Sequence, residues 1–354
     1  MKKQNNNNLS GVKEIARRGN VSLATVDRVI HKRSGVSSET RDKITTIIKE
    51  LNYQPNLLAR RLASRKVFQL VTLIPKVSPE ETTYWEAPLQ GILRAEDQIS
   101  QYGIKVIKYF FDQNDKKSFV EQTRLILKNK IDGILLAPSF IEEAVKFTQS
   151  CKKLNIPYVF INSDIPNQQS LCYFGTELYQ SGYLVAHLIN YLIGEGKILV
   201  VNISKEIKNN LILRKEEEFS AFFNENNKSN DIIRSDIRKT DYTSVQKILS
   251  KSLNDHQDIK VIYVTNSRVS TVARFLEKAE RTDILLIGYD FLRENIEYLK
   301  KGIIDFLICQ KPQEQVYLGI MALYQYLVSG SVTENVHFMP IDIISGENYM
   351  FYRN

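Results

Sequence analysis

Four polar residues, Asn162, Asn266, Asp290 and Gln310, stand at the carboxyl ends of apolar runs such as YVFI and ILLIGY. Where such runs are parallel strands, ligands bind beyond those ends. Amide and carboxylate side chains there offer fixed, planar donors and acceptors, which is chemistry for holding a small polar molecule rather than transforming it. Other chemistries find little support. The four histidines, His31, His187, His256 and His337, show neither metal-ligand spacing nor a partnered nucleophile. Cys151, Cys172 and Cys309 are odd in number and far apart, which reads as buried, reduced thiols. The nearest approach to a phosphate loop, Gly194-Glu195-Gly196-Lys197-Ile198, lacks both the upstream glycine and the Ser/Thr, and no G-x-G-x-x-G follows a strand. The expectation is a binding protein, not an enzyme, with no cofactor and no metal.

Positioning those four residues requires alternating strands and helices. Strands are predicted at LVTLIP (from Leu70), IKVIKYFF (from Ile104), DGILLAP (from Asp132), YVFIN (from Tyr158), KILVVNI (from Lys197), KVIYVT (from Lys260), ILLIGYD (from Ile284) and DFLICQ (from Asp305). Eight runs over this length exceed one ordinary sheet, so two similar α/β lobes are expected over 67–354.

The first 66 residues differ. They hold 15 Lys/Arg against 5 Asp/Glu, a net +10, which leaves −2 for the remainder of a chain whose total is +8. A basic module on a near-neutral body is the electrostatic footprint of a polyanion-binding domain. Within it, a first helix over about Val12–Arg18 stops at Gly19-Asn20, and Ser22 stands as the N-cap of a second, SLATVDRVIH. That helix turns Val26, Val29 and Ile30 inward and leaves Leu23, Ala24, Thr25, Arg28 and His31 to meet DNA. A third helix, capped by Ser37, carries Ile44, Ile47, Ile48 and Leu51 at i, i+3, i+4, i+7. The segment from Tyr53 to Ala63, with Pro55 at a first-turn position, is too short to hold helical shape alone in water and should fold only against a partner. The polar start, MKKQNNNN, is not followed by an apolar signal region, and no run of about 20 apolar residues could span a bilayer. These features predict a cytoplasmic location with no membrane partner.

The stretch GVKEIARRGNVSLATVDRVIHKRSGVSSETRDKITTIIKELNYQPNLLARRLASRK resembles the DNA-binding headpiece of the LacI/GalR family over its whole length. The resemblance implies a helix-turn-helix domain at 1–54 and a hinge helix and linker at 55–66. It places Leu23 and Ala24 at base edges, Arg28 within reach of a guanine, and Leu62 as a wedge that enters a base step. Ser22, Thr25, His31, Lys32 and Asn56 would hold phosphates or orient the helix. Asp27 departs from the family's small polar residue, and its carboxylate is expected to pair with a neighbour such as Arg28 or Arg17.

INSDIP, FGTELYQSGYLVAHLI, VTNS, IGYD and ICQKPQEQVYLGIMALYQYL fall in the order of the sugar-binding, type 1 periplasmic-binding-protein fold, the family's usual effector domain. The fold class implied is an all-α helix-turn-helix headpiece with hinge helix, then a two-lobed α/β domain of two parallel sheets. Lobe one would span about 67–174 and 312–336, and lobe two about 175–311 and 337–354. By resemblance, Asn162, Asn266, Asp290 and Gln310 bind sugar hydroxyls. Tyr84 and Trp85 would offer an aromatic face to a pyranose, although such a pair also suits a packed core. The family's ligand-gripping arginine has two counterparts in register, Arg214 and Lys215; Arg214 is preferred for its bidentate fork. Together these features imply a homodimeric repressor of a near-palindromic double-stranded operator, controlled allosterically by a small sugar-like effector. The rivals are a transport-type sugar-binding protein without a DNA role, which leaves the +10 headpiece unexplained, and a Rossmann-like enzyme, which lacks its phosphate grip.

Overall fold

A computed structural model describes residues 11–30, 33–51, 53, 67–78, 82–205, 210–226, 228, 230–330 and 336–354, without the side chains of 210–212. The chain divides into two compact units, Met1–Ser64 and Arg65–Asn354. The hinge helix expected at 55–66, and the roles given to His31, Lys32, Asn56 and Leu62, lie outside the described residues.

In the first unit, α1 (Val12–Gly19), α2 (Leu23–Ile30) and α3 (Ser38–Glu50) enclose a small core of Ile15, Ala16, Val26, Val29, Ile44 and Ile47. Each boundary has a local cause. Helix α1 ends at Asn20 in the left-handed conformation (φ 54°), which asparagine tolerates. The Ser22 hydroxyl accepts the Thr25 amide at 3.1 Å at the start of α2, and Ser37 accepts that of Thr40 at the start of α3. Asp27 pairs with a basic neighbour, as expected, though with a different one from those named. Its carboxylate takes Arg33 at 3.1 Å, because the chain turns back after α2, while Arg17 is held one helical turn away by Glu14 at 2.7 Å.

The second unit contains two sheets of six strands each among the described residues. The first has the order β11-β5-β4-β3-β1-β2, from β1 (Phe68–Pro75), β2 (Ile104–Phe111), β3 (Gly133–Leu136), β4 (Tyr158–Ile161), β5 (Cys172–Gly175) and β11 (Val336–Phe338). Every pairing in it is parallel. The second repeats the pattern as β12-β10-β9-β8-β6-β7, from β6 (Lys197–Ile203), β7 (Ile232–Ile237), β8 (Ile259–Val264), β9 (Leu285–Tyr289), β10 (Phe306–Cys309) and β12 (Asp342–Ile344), with only β12 antiparallel. Both faces of each sheet are covered. Alternate residues of β1 therefore enter opposite cores, Leu70 and Ile74 joining Ile92, Val316 and Ile320, and Val71 and Leu73 joining Phe119 and Phe147. Burial on both faces makes these strands read as unbroken apolar runs.

The helices are α4 (Glu86–Ser100), α5 (Lys116–Leu127), α6 (Ile141–Lys153), α7 (Leu178–Ile193), α8 (Asn210–Glu225), α9 (Tyr242–Asp255), α10 (Val269–Lys278), α11 (Arg293–Lys300) and α12 (Pro312–Ser329). Although α12 follows the second sheet in sequence, it supplies Val316, Ile320 and Leu323 to the core of the first. The chain therefore passes between the lobes three times, after β5, after β10 and after β11. Strand pairing carries lobe one through Gly175 and Phe338, past the expected 174 and 336.

Candidate functional site

Both sheets aim their carboxyl ends at one cavity of about 510 Å³, within the roughly 300–1,000 Å³ usual for small-molecule sites. Asn162 follows β4, Asn266 follows β8, Asp290 follows β9 and Gln310 follows β10, and all four line it. Asn162 and Asp290 both have left-handed backbones (φ 67° and 73°), a conformation that asparagine and aspartate adopt more readily than most residues. The turn at each strand end thus helps explain the residue type as well as its placement.

Asp290 is buried and accepts a 3.0 Å hydrogen bond from the Gln310 amide, whose oxygen accepts the Thr176 hydroxyl at 2.9 Å. Burial raises its carboxyl to about 6, against the opposing effects of the Lys215 charge and the Gln310 hydrogen bond. Asn162 accepts the Tyr84 hydroxyl at 2.9 Å. Burial holds the Tyr84 phenol well above its ordinary value, so this group stays a donor. Asn266 spends part of its bonding capacity on the protein, donating to the Ile203 carbonyl at the end of β6 at 2.9 Å and accepting the Arg268 amide of its own loop at 3.1 Å.

Tyr84 and Trp85 meet edge to face at 5.1 Å, and the indole N–H reaches Gln113 at 3.2 Å. Both line the cavity and both belong to the lobe-one core. The packed and the exposed reading of this pair therefore describe two sides of the same residues.

Arg214 is not part of the lining. It pairs with Asp164 at 3.3 Å and stands 5.3 Å from the centre of the Tyr179 ring. Lys215 enters the cavity instead, 5% exposed, with its ammonium 3.4 Å from the centre of the Tyr289 ring and 3.4 Å from the Thr265 carbonyl. Burial lowers this ammonium to about 8, opposed by the charge of Asp290. A signal for this lay in the sequence: Lys215, Phe219 and Phe222 are spaced i, i+4, i+7, and Phe219 and Phe222 form the buried face of α8. Gly182 permits the close approach of α7, since a Cβ there would overlap the Lys215 carbonyl oxygen.

On the first unit, Ser22, Leu23, Ala24 and Arg28 are exposed and Thr25 is half-buried. Leu23 is 49% exposed although it is a large apolar residue at the start of α2. An apolar side chain left in water on the same short helix as an exposed guanidinium suits a surface that meets base edges. Ser22 and Thr25 also share a 2.9 Å hydrogen bond that fixes the first turn of α2.

Comparison with known proteins covers both units. Residues 11–56 match the lacI family of bacterial regulatory proteins, and residues 71–331 match the periplasmic binding protein domain family. The ribose operon repressor of Halalkalibacterium halodurans is 25% identical over 291 residues, 80% of each chain. The catabolite control protein A of Staphylococcus xylosus is 34% identical over 146 residues, 41% of this chain and 42% of that one, so the aligned stretch spans less than half of that relative. Among solved structures, one described as a LacI transcriptional regulator from Bacteroides fragilis superposes with a TM-score of 0.75 at 28% identity, covering 81% of this chain and all of that one. A solute-binding protein from Burkholderia graminis in complex with D-arabinose shares the fold, with a TM-score of 0.73 at 16% identity over 81% of this chain and 99% of that one.

Proposed function

The chain belongs to the lacI family of bacterial regulatory proteins and carries a periplasmic-binding-protein body, and from that premise we propose that it is a repressor whose hold on double-stranded operator DNA is set by a small sugar-like ligand. The observation that carries the ligand half is the cavity lined by Asp290, Gln310, Asn162 and Lys215 beside Tyr84 and Trp85. Fixed amides and a carboxylate match the vicinal hydroxyls of a pyranose, and the aromatic pair offers its apolar side a surface. Lys215 replaces a planar, bidentate fork by a compact ammonium whose three donors can turn to meet acceptors from different directions. Among the described residues no helix is long and apolar enough to cross a membrane; the reading places the protein in the cytoplasm, as a homodimer with two equal reading heads on a near-palindromic site.

The test is a coupled one. D-ribose, D-arabinose, D-allose and D-galactose are titrated against the full chain, with and without genomic fragments that it retains. Linkage requires the sugar that binds to shift DNA affinity by the same factor by which DNA shifts sugar affinity, with a coupling of typically ~1 to 3 kcal/mol. Equal sugar affinities in the two titrations would remove the allosteric part. For the DNA half, Arg28→Ala is expected to weaken the preferred fragment by ~1 to 3 kcal/mol and to relax preference at one base pair. An equal loss on every sequence would show that Arg28 holds phosphate instead.

A further inference from the structure

Gln315 and Asn295 were not singled out by the sequence, and neither belongs to the lining of the cavity. Each is a fully buried amide, 2% and 0% exposed, on the first turns of α12 and α11. Gln315 accepts the backbone N–H of Asn162 at 3.0 Å and donates to the backbone carbonyl of Gln310 at 2.8 Å. Asn295 donates to the carbonyls of Asp290 at 2.9 Å, Tyr289 at 3.0 Å and Ser267 at 3.1 Å, and accepts the Ser270 amide. Each amide thus ties together the backbones of lining residues.

The links continue across the lobes. The Ser267 hydroxyl meets that of Thr82 at 3.2 Å, from one lobe to the other. Thr82 accepts the Tyr84 amide at 3.1 Å, and the Tyr84 hydroxyl donates to Asn162. Asn162 leads to Gln315, Gln315 to Gln310, and Gln310 to Asp290. Asp290 returns to Ser267 through Asn295. The path closes on itself. It passes between the lobes twice, once through the hydrogen bond from Gln315 to the Gln310 carbonyl and once through the Thr82–Ser267 pair.

We propose that this closed hydrogen-bonded belt governs lobe closure, with Gln315 and Asn295 as positioning residues and the Thr82–Ser267 hydroxyl pair as the clasp that opens. A belt of this kind lets a ligand touching Asp290 or Asn162 tighten the opposite wall without reaching it, because each link fixes the backbone of the next. Among the described residues, Arg214–Asp164 and Thr83–Glu294 also join the lobes, outside the belt.

Trp85 is the one tryptophan of the sequence and borders the cavity at 5% exposure, so its emission reports closure with no ligand added. In the full-length, ligand-free chain, Thr82→Val and Ser267→Ala are each expected to move the emission to the red as the indole meets water, while Thr82→Ser restores the native spectrum. Gln315→Met should give a similar shift, and Gln315→Met combined with Thr82→Val no more than either alone, since a belt cut once is already open. Arg214→Gln, which breaks a contact outside the belt, should add to the Thr82→Val shift. If Gln315→Met does not fold, Gln315→Glu serves in its place: it keeps the acceptor for Asn162 and loses the donor to Gln310, and its shift should again not add to that of Thr82→Val. Additive shifts for Gln315 and Thr82, or an emission unmoved by Thr82→Val and Ser267→Ala, would overturn the belt. The outcome is independent of the sugar reading: intact non-additivity with no sugar response would sink that reading alone.

Discussion

The double variant Lys215→Met, Asp290→Asn is expected to be more stable than the native chain when ligand-free, yet deaf to the sugar. Both groups are buried, and burial disfavours the charged form of each, drawing the lysine down to about 8 and the aspartate up to about 6. Between these values the folded cavity holds two desolvated charges whose mutual attraction only partly offsets the desolvation. Replacing such a pair by neutral groups of similar size is neutral or stabilising by ~1 to 4 kcal/mol, on the order of 2–4 °C in Tm per kcal/mol for a unit of this size. Removing one group alone is different: Lys215→Met takes away the charge that opposes the burial of Asp290, leaves Gln310 as its hydrogen-bond donor, and should destabilise the chain near neutral pH.

The pH dependence follows with a definite sign. The Asp290 carboxyl is raised from an ordinary 3.8, so its contribution is present at low pH and is lost as pH rises toward about 6. The Lys215 ammonium is lowered from an ordinary 10.5, so its contribution is present at high pH and is lost as pH falls toward about 8. Relative to the double variant, the native chain should therefore be least stable between about pH 6 and pH 8, and the gap should narrow on both sides. Thermal unfolding across pH with both proteins checks this. A gap independent of pH would mean that the pair is solvated in the ligand-free cavity.

A second large effect is expected in the headpiece. Ile44 is 0% exposed in a core of six buried hydrophobic residues among those described, and Ile44→Ala removes ~2 to 5 kcal/mol by transfer and cavity terms. A domain this small has little more than that to lose. The variant should therefore lose helical circular dichroism and at least 100-fold in affinity for retained DNA fragments. Its Trp85 emission change with the binding sugar should match the native one, because the second unit has its own cores. Loss of both responses would show that the body depends on a folded headpiece.

Much of this was legible in the residues because burial on two faces leaves an unmistakable trace. The eight runs from Leu70 to Gln310 all contain strands. Missed strands have weaker signatures for physical reasons. β7 lies at a sheet edge, and its polar Arg234, Ser235 and Asp236 interrupt the apolar run. β11 and β12 are only three residues each, so their identity rests on a neighbour distant in sequence. At the cavity, strand-end position marked Asn162, Asn266, Asp290 and Gln310, which the structure brings together. Telling which of Arg214 and Lys215 lines the cavity needed the helical phase of α8, whereas fork chemistry alone favoured Arg214, which lies outside the lining. Gln315 and Asn295 carry no pattern at all, since a buried amide is recognised by its partners and not by its spacing.

The three passages between lobes bear on how the protein is made. Lobe one takes α12 and β11 from the last fifth of the sequence, and lobe two is completed by β12 at Asp342–Ile344. Neither lobe exists as a continuous segment, so neither can finish folding while most of the polypeptide is still emerging from the ribosome. The nascent body must wait with apolar strand edges uncovered until β12 is synthesised, whereas the headpiece, being contiguous and ahead of the body in sequence, can settle before it. A chain shortened by even its final tenth would leave both sheets without an edge.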